Sequence, residues 1–410
     1  MLKLDRNRRA GILSAVQHTV QTKFYDPKLK GIDWAGEVEK KRDLIVSSAD
    51  PGEFIKNMNN LLKSLRASHM GFFHESVRRA TAKMALSATL FEYRNGGEPC
   101  WIFQDVHEGG PADLAGIRAG DALLRVDGTE SHPPDAPMFP MGDRLRLLVR
   151  KASGGEQIIE ITVPDPKSKK HPVIIPKLIL TQKLEGGIGY LKVSMFPGVV
   201  GIEIARDITR AVEELACDRL IIDLRGNSGG GMGCLRLMSL MVPDRRPVGY
   251  SVTRKKAESG FDRERLPRFD EIPERKLGLV PLLAKFAFGD KSIAVFTEGR
   301  GPNRLQGRIV LLVNEHSASA SEMVAAFAAT EGRLQIVGTR TPGRVVGANS
   351  FKVGGGFRVA LPVAAYRTWD GTVLEGIGVA PTINVDFAPQ ATSDGQDPQL
   401  EAARAMTAEW

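Results

Sequence analysis

The sequence is poor in cysteine, with only Cys100, Cys217 and Cys234 in 410 residues. They form no C-x-x-C pair and no even set, so neither a disulfide scaffold nor a cysteine-based metal site is expected. Small core residues in a reducing compartment account for them. Long apolar runs are also missing. No segment approaches the roughly 18 uncharged apolar residues that span a bilayer. The opening "MLKLDRNRRAGILSAVQHTVQ" has basic residues but no unbroken apolar stretch after them. It reads as an amphipathic helix, not a signal peptide. The expectation is a cytoplasmic chain without a membrane partner. A one-sided charge is absent as well. Lys and Arg number 56 against 48 Asp and Glu, a net charge of +8, but the signs interleave, as in "EVEKKRD" and "FDRERLPRFDEIPERK". That pattern does not build a basic face for nucleic acid. Internal repeats and low-complexity tracts are lacking too.

What is present suits an ordinary globular chain, 42% hydrophobic and 25% charged, long enough for two or three domains. Residues 1–84 read as helical: apolar positions recur at helical spacing in "FIKNMNNLLKSLRA", and "SSADPGEF" supplies a Pro-containing helix start. From 85 to 165 the pattern changes to short strands, "ALSATLFEY", "CWIFQDV", "ALLRVDG", "RLRLLVRK" and "QIIEITV", separated by Gly-rich turns. A Pro- and Lys-rich bridge over 166–175 reads as a linker. Across 176–390 strands and helices alternate, which predicts an α/β domain with a largely parallel sheet. "RLIIDLRG" and "RIVLLVNE" are its buried strands, and "GFRVALPVAAYRT" and "GVAPTINV" are expected to complete the sheet. A charged stretch, about 252–283, reads as an insertion or flap, and 391–410 as a C-terminal helical tail.

Three segments carry candidate chemistry. In "HEGGPADLAGIRAGDALLRVDGTE" (107–130) the glycines suit turns of positive φ and "PADLAG" a short helix. The segment resembles a PDZ domain, a module that takes up an extended peptide on a sheet edge and holds its terminal carboxylate with backbone N–H groups. By position "LSATLF" (86–91) would be that loop and edge strand, with Leu86, Ala88 and Leu90 along the ligand. An ordinary small β domain is the plainer reading. In "LLVNEHSASASEMVAAFAA" a buried strand runs through small residues into a helix. Small neighbours allow close backbone approach, and a helix N-terminus supplies N–H groups. Taken alone the serines read equally as a helix cap, with Glu322 closing a capping box on Ser319. In "IIDLRGNSGGG" (221–231) a strand ends in a Gly-rich turn that suits an oxyanion or a phosphate. No G-K-[ST] closes it and it lacks G-x-G-x-x-G spacing.

Together, and in this order, with "EGIGVAP" near the end, the three segments resemble the S41 serine peptidases, which include C-terminal processing proteases and tricorn-core-type enzymes. The resemblance covers about residues 86–385 and implies a crotonase-like (ClpP/crotonase-type) catalytic domain. It implies that Ser319 is the nucleophile, with an oxyanion hole from the amide of Ala320 and one in the Gly229–Gly230 turn. No metal or organic cofactor is implied. The implied partner is a peptide or unfolded protein, and a homo-oligomer stays open.

One position departs from the processing proteases, whose base is a lysine in T-x-G-K. The matching "GTRTPGRVVG" has Arg344, and a guanidinium stays protonated, so it cannot be the base. Resemblance to tricorn-type members supplies a substitute: His69 in "SLRASHMGFF" as base and Glu375 in "LEGIGVAP" orienting it, directly or through Ser68. His316 and His74 rank behind His69. Arg344 would then hold a substrate carboxylate in the cleft. A catalytically silent peptide- or ligand-binding member of the fold, and a Ser-His esterase or acyl-transfer enzyme, are the alternative readings.

Overall fold

The computed structural model describes residues 4–408 apart from 77, 95–97, 168–172, 279, 281–289, 300–306 and 333. The chain forms two compact units that cut across its linear order. The first joins Met1–Val77, Asp244–Arg300 and Gly343–Gly378, and the second joins Arg78–Pro243, Gly301–Pro342 and Val379–Trp410. Residues 168–172 of the expected linker lie outside the described residues.

In the first unit three helices cover a sheet. Helix Arg6–Lys23 is capped by Asp5, whose side chain accepts from Arg8 N–H, and buries Ile12, Leu13, Val16 and Val20. Helix Trp34–Val46 follows. Helix Pro51–Leu62 starts as its sequence predicts: Asp50 accepts from Glu53 N–H and Pro51 sits where its missing N–H costs nothing. Phe54 of this helix meets Phe72 and Phe357 edge-on, at 5.4 and 5.5 Å between ring centroids. The helical expectation for 1–84 stops short of its end, because Gly71–His74 is a strand. Its Phe72 is buried and Phe73 exposed, the two-residue alternation of a strand with one face on a core. It pairs antiparallel with Phe357–Thr368, which also pairs with Pro247–Thr253 and Val346–Gly354. Phe357–Thr368 therefore does not complete the parallel sheet, contrary to the expectation from sequence. Its burial alternates along its length, as in antiparallel sheets with one packed face. The charged stretch adds helix Arg254–Ser259 and the short strand Arg268–Phe269 to this unit, and its residues 279 and 281–283 lie outside the described residues.

Among the described residues the second unit holds two six-stranded sheets and the two-stranded pair of Arg79–Thr81 with Met138–Pro140. The six-stranded sheets position the site. The first is antiparallel, in the order Ala88–Tyr93, Cys100–Val106, Ala122–Val126, Arg144–Arg150, Glu156–Thr162, and the turn after Gly110 forms the short helix Pro111–Leu114. The second runs Ile179–Leu184, Ile188–Val193, Arg219–Asp223, Arg308–Val313, Gln335–Gly338, Ile383–Asn384. Its first pair is antiparallel and the rest are parallel. Ile221, Val310, Leu312 and Val337 pack with Ala403 of helix Pro398–Ala408. The alternate residues Leu220, Ile222 and Leu311 are equally buried. Burial on both faces explains why these strands read as unbroken apolar runs. Asp223 pairs with Leu312, so the loops leaving these two neighbouring strands emerge side by side, where α/β sheets hold their sites.

Candidate active site

Those two loops carry the candidate nucleophile and the glycine-rich turn, both in the second unit. Strand Arg308–Val313 runs into Asn314–Ala318, and helix Ala320–Thr330 begins at Ser319, its N-cap residue. Ser319 has φ 56° and ψ −115°, a conformation costly for a residue with a Cβ and often found at reactive centres. The strain is held by its surroundings. Glu322 reaches back to accept from Ser319 N–H at 3.0 Å and from Thr341 Oγ1 at 2.7 Å. Ser317 and Ser321 are fully buried and their hydroxyls are tied down: Ser317 Oγ donates to Leu224 C=O at 2.8 Å, and Ser321 Oγ to Asn227 C=O at 3.0 Å. Of the three serines only Ser319 is half-buried.

The turn after Arg219–Asp223 lies against it. Gly229 has φ 90°, and a Cβ there would come within 2.6 Å of both Ala318 O and Ser319 Cβ. Only glycine permits this approach. Gly229 N–H donates to Asn227 Oδ1 at 2.8 Å. Phe196 forms a parallel bridge to Gly230, using the groups on either side of it: Phe196 N–H donates to Gly229 C=O and Gly231 N–H to Phe196 C=O. Gly230 N–H therefore points away from Phe196, by the alternation of an extended chain. Gly230 and Ala320, at the helix start, are the amides that such a turn can aim at an oxyanion. Sequence reasoning missed Asn227 and Asn314, both fully buried. Asn314 Oδ1 accepts from Gly226 N–H at 3.0 Å and His316 N–H at 3.1 Å. The signal available was an asparagine in the loop after each buried strand, in "RGN" and "VNE".

The expected base His69, with Ser68, Glu375 and Arg344, lies in the first unit. Glu375 is buried, 8% exposed. It accepts from Ser68 N–H at 2.5 Å, from Ser68 Oγ at 3.0 Å and from Val345 N–H at 3.0 Å. Ser68 Oγ lies 2.7 Å from His69 Nδ1. A carboxylate only accepts, so the serine hydrogen points to Glu375 and the serine oxygen accepts from His69 Nδ1–H. The tautomer is thereby set, and Nε2 keeps its lone pair. His69 itself has φ 55°, a second strained residue. Partial desolvation lowers its pKa, Glu375 opposes this, and Arg344 adds to the lowering. His74 is differently placed: both ring nitrogens are engaged, Nδ1 with Ser76 Oγ at 2.6 Å and Nε2 with Gly355 C=O at 3.2 Å. Arg344 is exposed.

In the antiparallel sheet Ala88–Tyr93 is the edge strand. Leu86 and Ala88 are fully buried in that domain's core and Leu90 packs against it, so what this edge offers a ligand is backbone. The loop before it turns at Ser87, φ 55°. Among the described residues no group of three or more His, Cys, Asp or Glu is placed to hold a metal ion, and no helix is long and apolar enough to cross a membrane.

The fold and these loops define a class: a mixed α/β chain with a PDZ-type β module and a serine at a strained strand-to-helix turn. The model of peptidase family S41 matches residues 187–385 and that of the PDZ domain residues 102–136. The chain thus carries a segment that matches peptidase family S41 and, ahead of it, one that matches the PDZ domain. It is similar to tricorn protease homolog 1 of Streptomyces coelicolor, at 24% identity over 93% of this chain and 33% of that protein. A second tricorn protease homolog of that organism is also 24% identical, over 94% of this chain and 31% of its own length. The chain thus spans 33% and 31% of these relatives. The carboxy-terminal-processing protease of Bartonella bacilliformis is 25% identical over 85% of this chain and 73% of that protein. Among solved structures, the photosystem II D1 C-terminal processing protease superposes with a TM-score of 0.58 at 19% identity, covering 97% of both chains. Mature CPAF superposes at 0.61 and 16% identity, covering 98% of this chain and 97% of that one. At these identities the likeness is one of fold.

Proposed function

We propose that this chain is a serine peptidase that cleaves peptide bonds through an acyl-enzyme on Ser319, with His69 in place of the lysine base. In this reading Ser319 Oγ passes its proton to His69 Nε2 and bonds to the substrate carbonyl carbon. The oxyanion takes hydrogen bonds from the amides of Gly230 and Ala320. The imidazolium then protonates the leaving amine, and water, deprotonated by the same imidazole, releases the acid. The route uses no metal or cofactor. The observation that carries it is the run Glu375–Ser68–His69, which leaves Nε2 as the free acceptor. Arg344 cannot take the proton, but its charge favours a neutral His69. We read the parallel layer as crotonase-like, supported by a hairpin leading into parallel strands with the site at their carboxyl ends. Substrates are peptides or unfolded proteins, held by a free C-terminus along the backbone of Ala88–Tyr93, as processing-protease relatives suggest by name.

A fluorophosphonate probe tests the reading directly. Wild type should be labelled on Ser319, Ser319→Ala should not, and His69→Ala should be labelled far more slowly. Absence of both labelling and hydrolysis in wild type would make the chain a silent binder of the same fold, the reading that Arg344 favours.

A further inference from the structure

The PDZ-type sheet sends one acidic side chain toward the loops just described. Asp105 lies on strand Cys100–Val106 and is 7% exposed. Its Oδ2 accepts from Thr89 Oγ1 of the edge strand at 2.6 Å and from Asn314 Nδ2 at 3.0 Å. Thr89 Oγ1 in turn accepts from Asp105 N–H at 3.1 Å. Gly226, the start of the oxyanion turn, passes so close that a Cβ there would stand 2.7 Å from Asp105 Cβ.

The contact has a directional consequence. Asn314 joins the two loops through its carbonyl oxygen, which accepts from Gly226 N–H and His316 N–H. Rotated by half a turn, its amide would set an NH2 against two N–H groups. A buried carboxylate is the acceptor that makes the wrong rotamer unfavourable, since it can only receive. Burial opposes its charge, but Lys192, His316, the Thr89 hydroxyl and His107 outweigh burial and keep it ionised. Lys83 lies 2.5 Å from His107 Nε2, and burial lowers its pKa to about 7 against the pull of Asp105.

We propose that Asp105 is a positioning residue for Ser319: it locks the rotamer of Asn314 and so holds the oxyanion turn and the nucleophile loop in register. The proposal rests on the peptidase reading for its kinetic consequence but not for its structural one. It makes the β module part of the reaction site's scaffold, through the same strand pair that offers a peptide its edge.

The test compares Asp105→Ala, Asp105→Asn and Thr89→Val in the full chain. Amide hydrogen exchange is read at 224–231 and 314–320, with Arg144–Arg150 and Glu156–Thr162 as internal references. Asp105→Ala should speed exchange in both loops by about tenfold or more, the factor one charge-assisted hydrogen bond is worth, and leave the reference strands protected. On a peptide substrate its kcat should fall by about tenfold or more while KM changes little, because the loss is in oxyanion stabilisation. Asp105→Asn, which can still present an oxygen to Asn314, should recover most of both. Should Asp105→Ala fail to fold, Thr89→Val carries the test: it removes the hydroxyl that orients the carboxylate and should speed exchange in both loops, by less than Asp105→Ala. Wild-type exchange in both loops, or a loss spread evenly over the reference strands, overturns the proposal. If wild type cleaves nothing, the peptidase reading fails and exchange alone still decides Asp105.

Discussion

Two residues with positive φ, Ser319 and His69, carry the chemistry proposed here, and each is held by a buried carboxylate. Glu322 grips the Ser319 N–H, and Glu375 grips Ser68, which in turn holds His69. Ser319→Ala should abolish hydrolysis with little change in Tm, since one hydroxyl is removed from a turn that keeps its other ties. Ser317→Ala and Ser321→Ala should keep Ser319 reactive but lose about 1 kcal/mol each in denaturant titrations, the net worth of one buried hydrogen bond. His69→Ala should lower kcat by about a hundredfold or more, as expected for loss of a general base. The pH profile gives a sharper check. Only neutral imidazole accepts the proton, so activity is lost as pH falls through the His69 pKa. That pKa lies below the ordinary 6.5 because desolvation and Arg344 lower it against the pull of Glu375. Arg344→Ala should therefore move the acid limb of kcat/KM upward, and Glu375→Gln should move it downward while reducing kcat. An acid limb unmoved by Arg344→Ala would separate the two groups.

At the scale of elements, the site depends on glycines and on one ion cluster beneath the oxyanion turn. Gly229→Ala would place a methyl 2.6 Å from Ala318 O and Ser319 Cβ at φ 90°. Either the turn or the nucleophile must move, and labelling of Ser319 should be lost even if circular dichroism is unchanged. Arg225, in the same turn, donates to Asp223 and to both carboxylate oxygens of Asp397, and to Gln399 Oε1. Asp223 is fully buried and also accepts from Tyr190 Oη at 2.7 Å. Arg225→Ala would leave Asp223 buried without its countercharge. The expected loss is about 3–5 kcal/mol of unfolding free energy, read by urea titration. The cluster ties the "DLRG" turn to the start of helix Pro398–Ala408, so the helix after the last strand serves the turn that carries the proposed oxyanion amides.

For the whole molecule, each unit is assembled from stretches far apart in sequence, so folding of either must wait for its last segment to be available. The PDZ-type module belongs, by its contacts, to the unit that contains Ser319. Its edge strand turns Ala88 and Leu90 into the module's core, and recognition there should rest on backbone and terminal charge. A peptide with a free C-terminus should bind Ser319→Ala protein more tightly than its amidated twin. The difference should be about 1.5–3 kcal/mol for each bond to the carboxylate that is lost, measured by calorimetry. Equal affinities would rule out carboxylate capture.

Much of this was legible along the chain. Buried parallel strands appear as apolar runs at Arg219–Asp223 and Arg308–Val313, and "ADPGEF" marks a helix start, because burial on two faces and unsatisfied N–H groups leave local signatures. Local order also marks the strand–small residue–helix pattern around Ser319 and the absence of a lysine at Arg344. Other features exist only through contacts between distant residues. Phe357–Thr368 looks like any other strand until its partners are known, and alternation alone does not say which sheet it joins. Gly71–His74 becomes a strand because Phe357–Thr368 offers it a ladder. The bond from Ser68 to Glu375 spans 307 positions, and that from Asp105 to Asn314 spans 209. The sequence by itself determined most of the elements and the order of the motifs that resemble family S41. Only the tertiary structure decided which sheet each strand enters and which carboxylate meets which amide, since hydrogen bonds depend on distances that chain order does not encode.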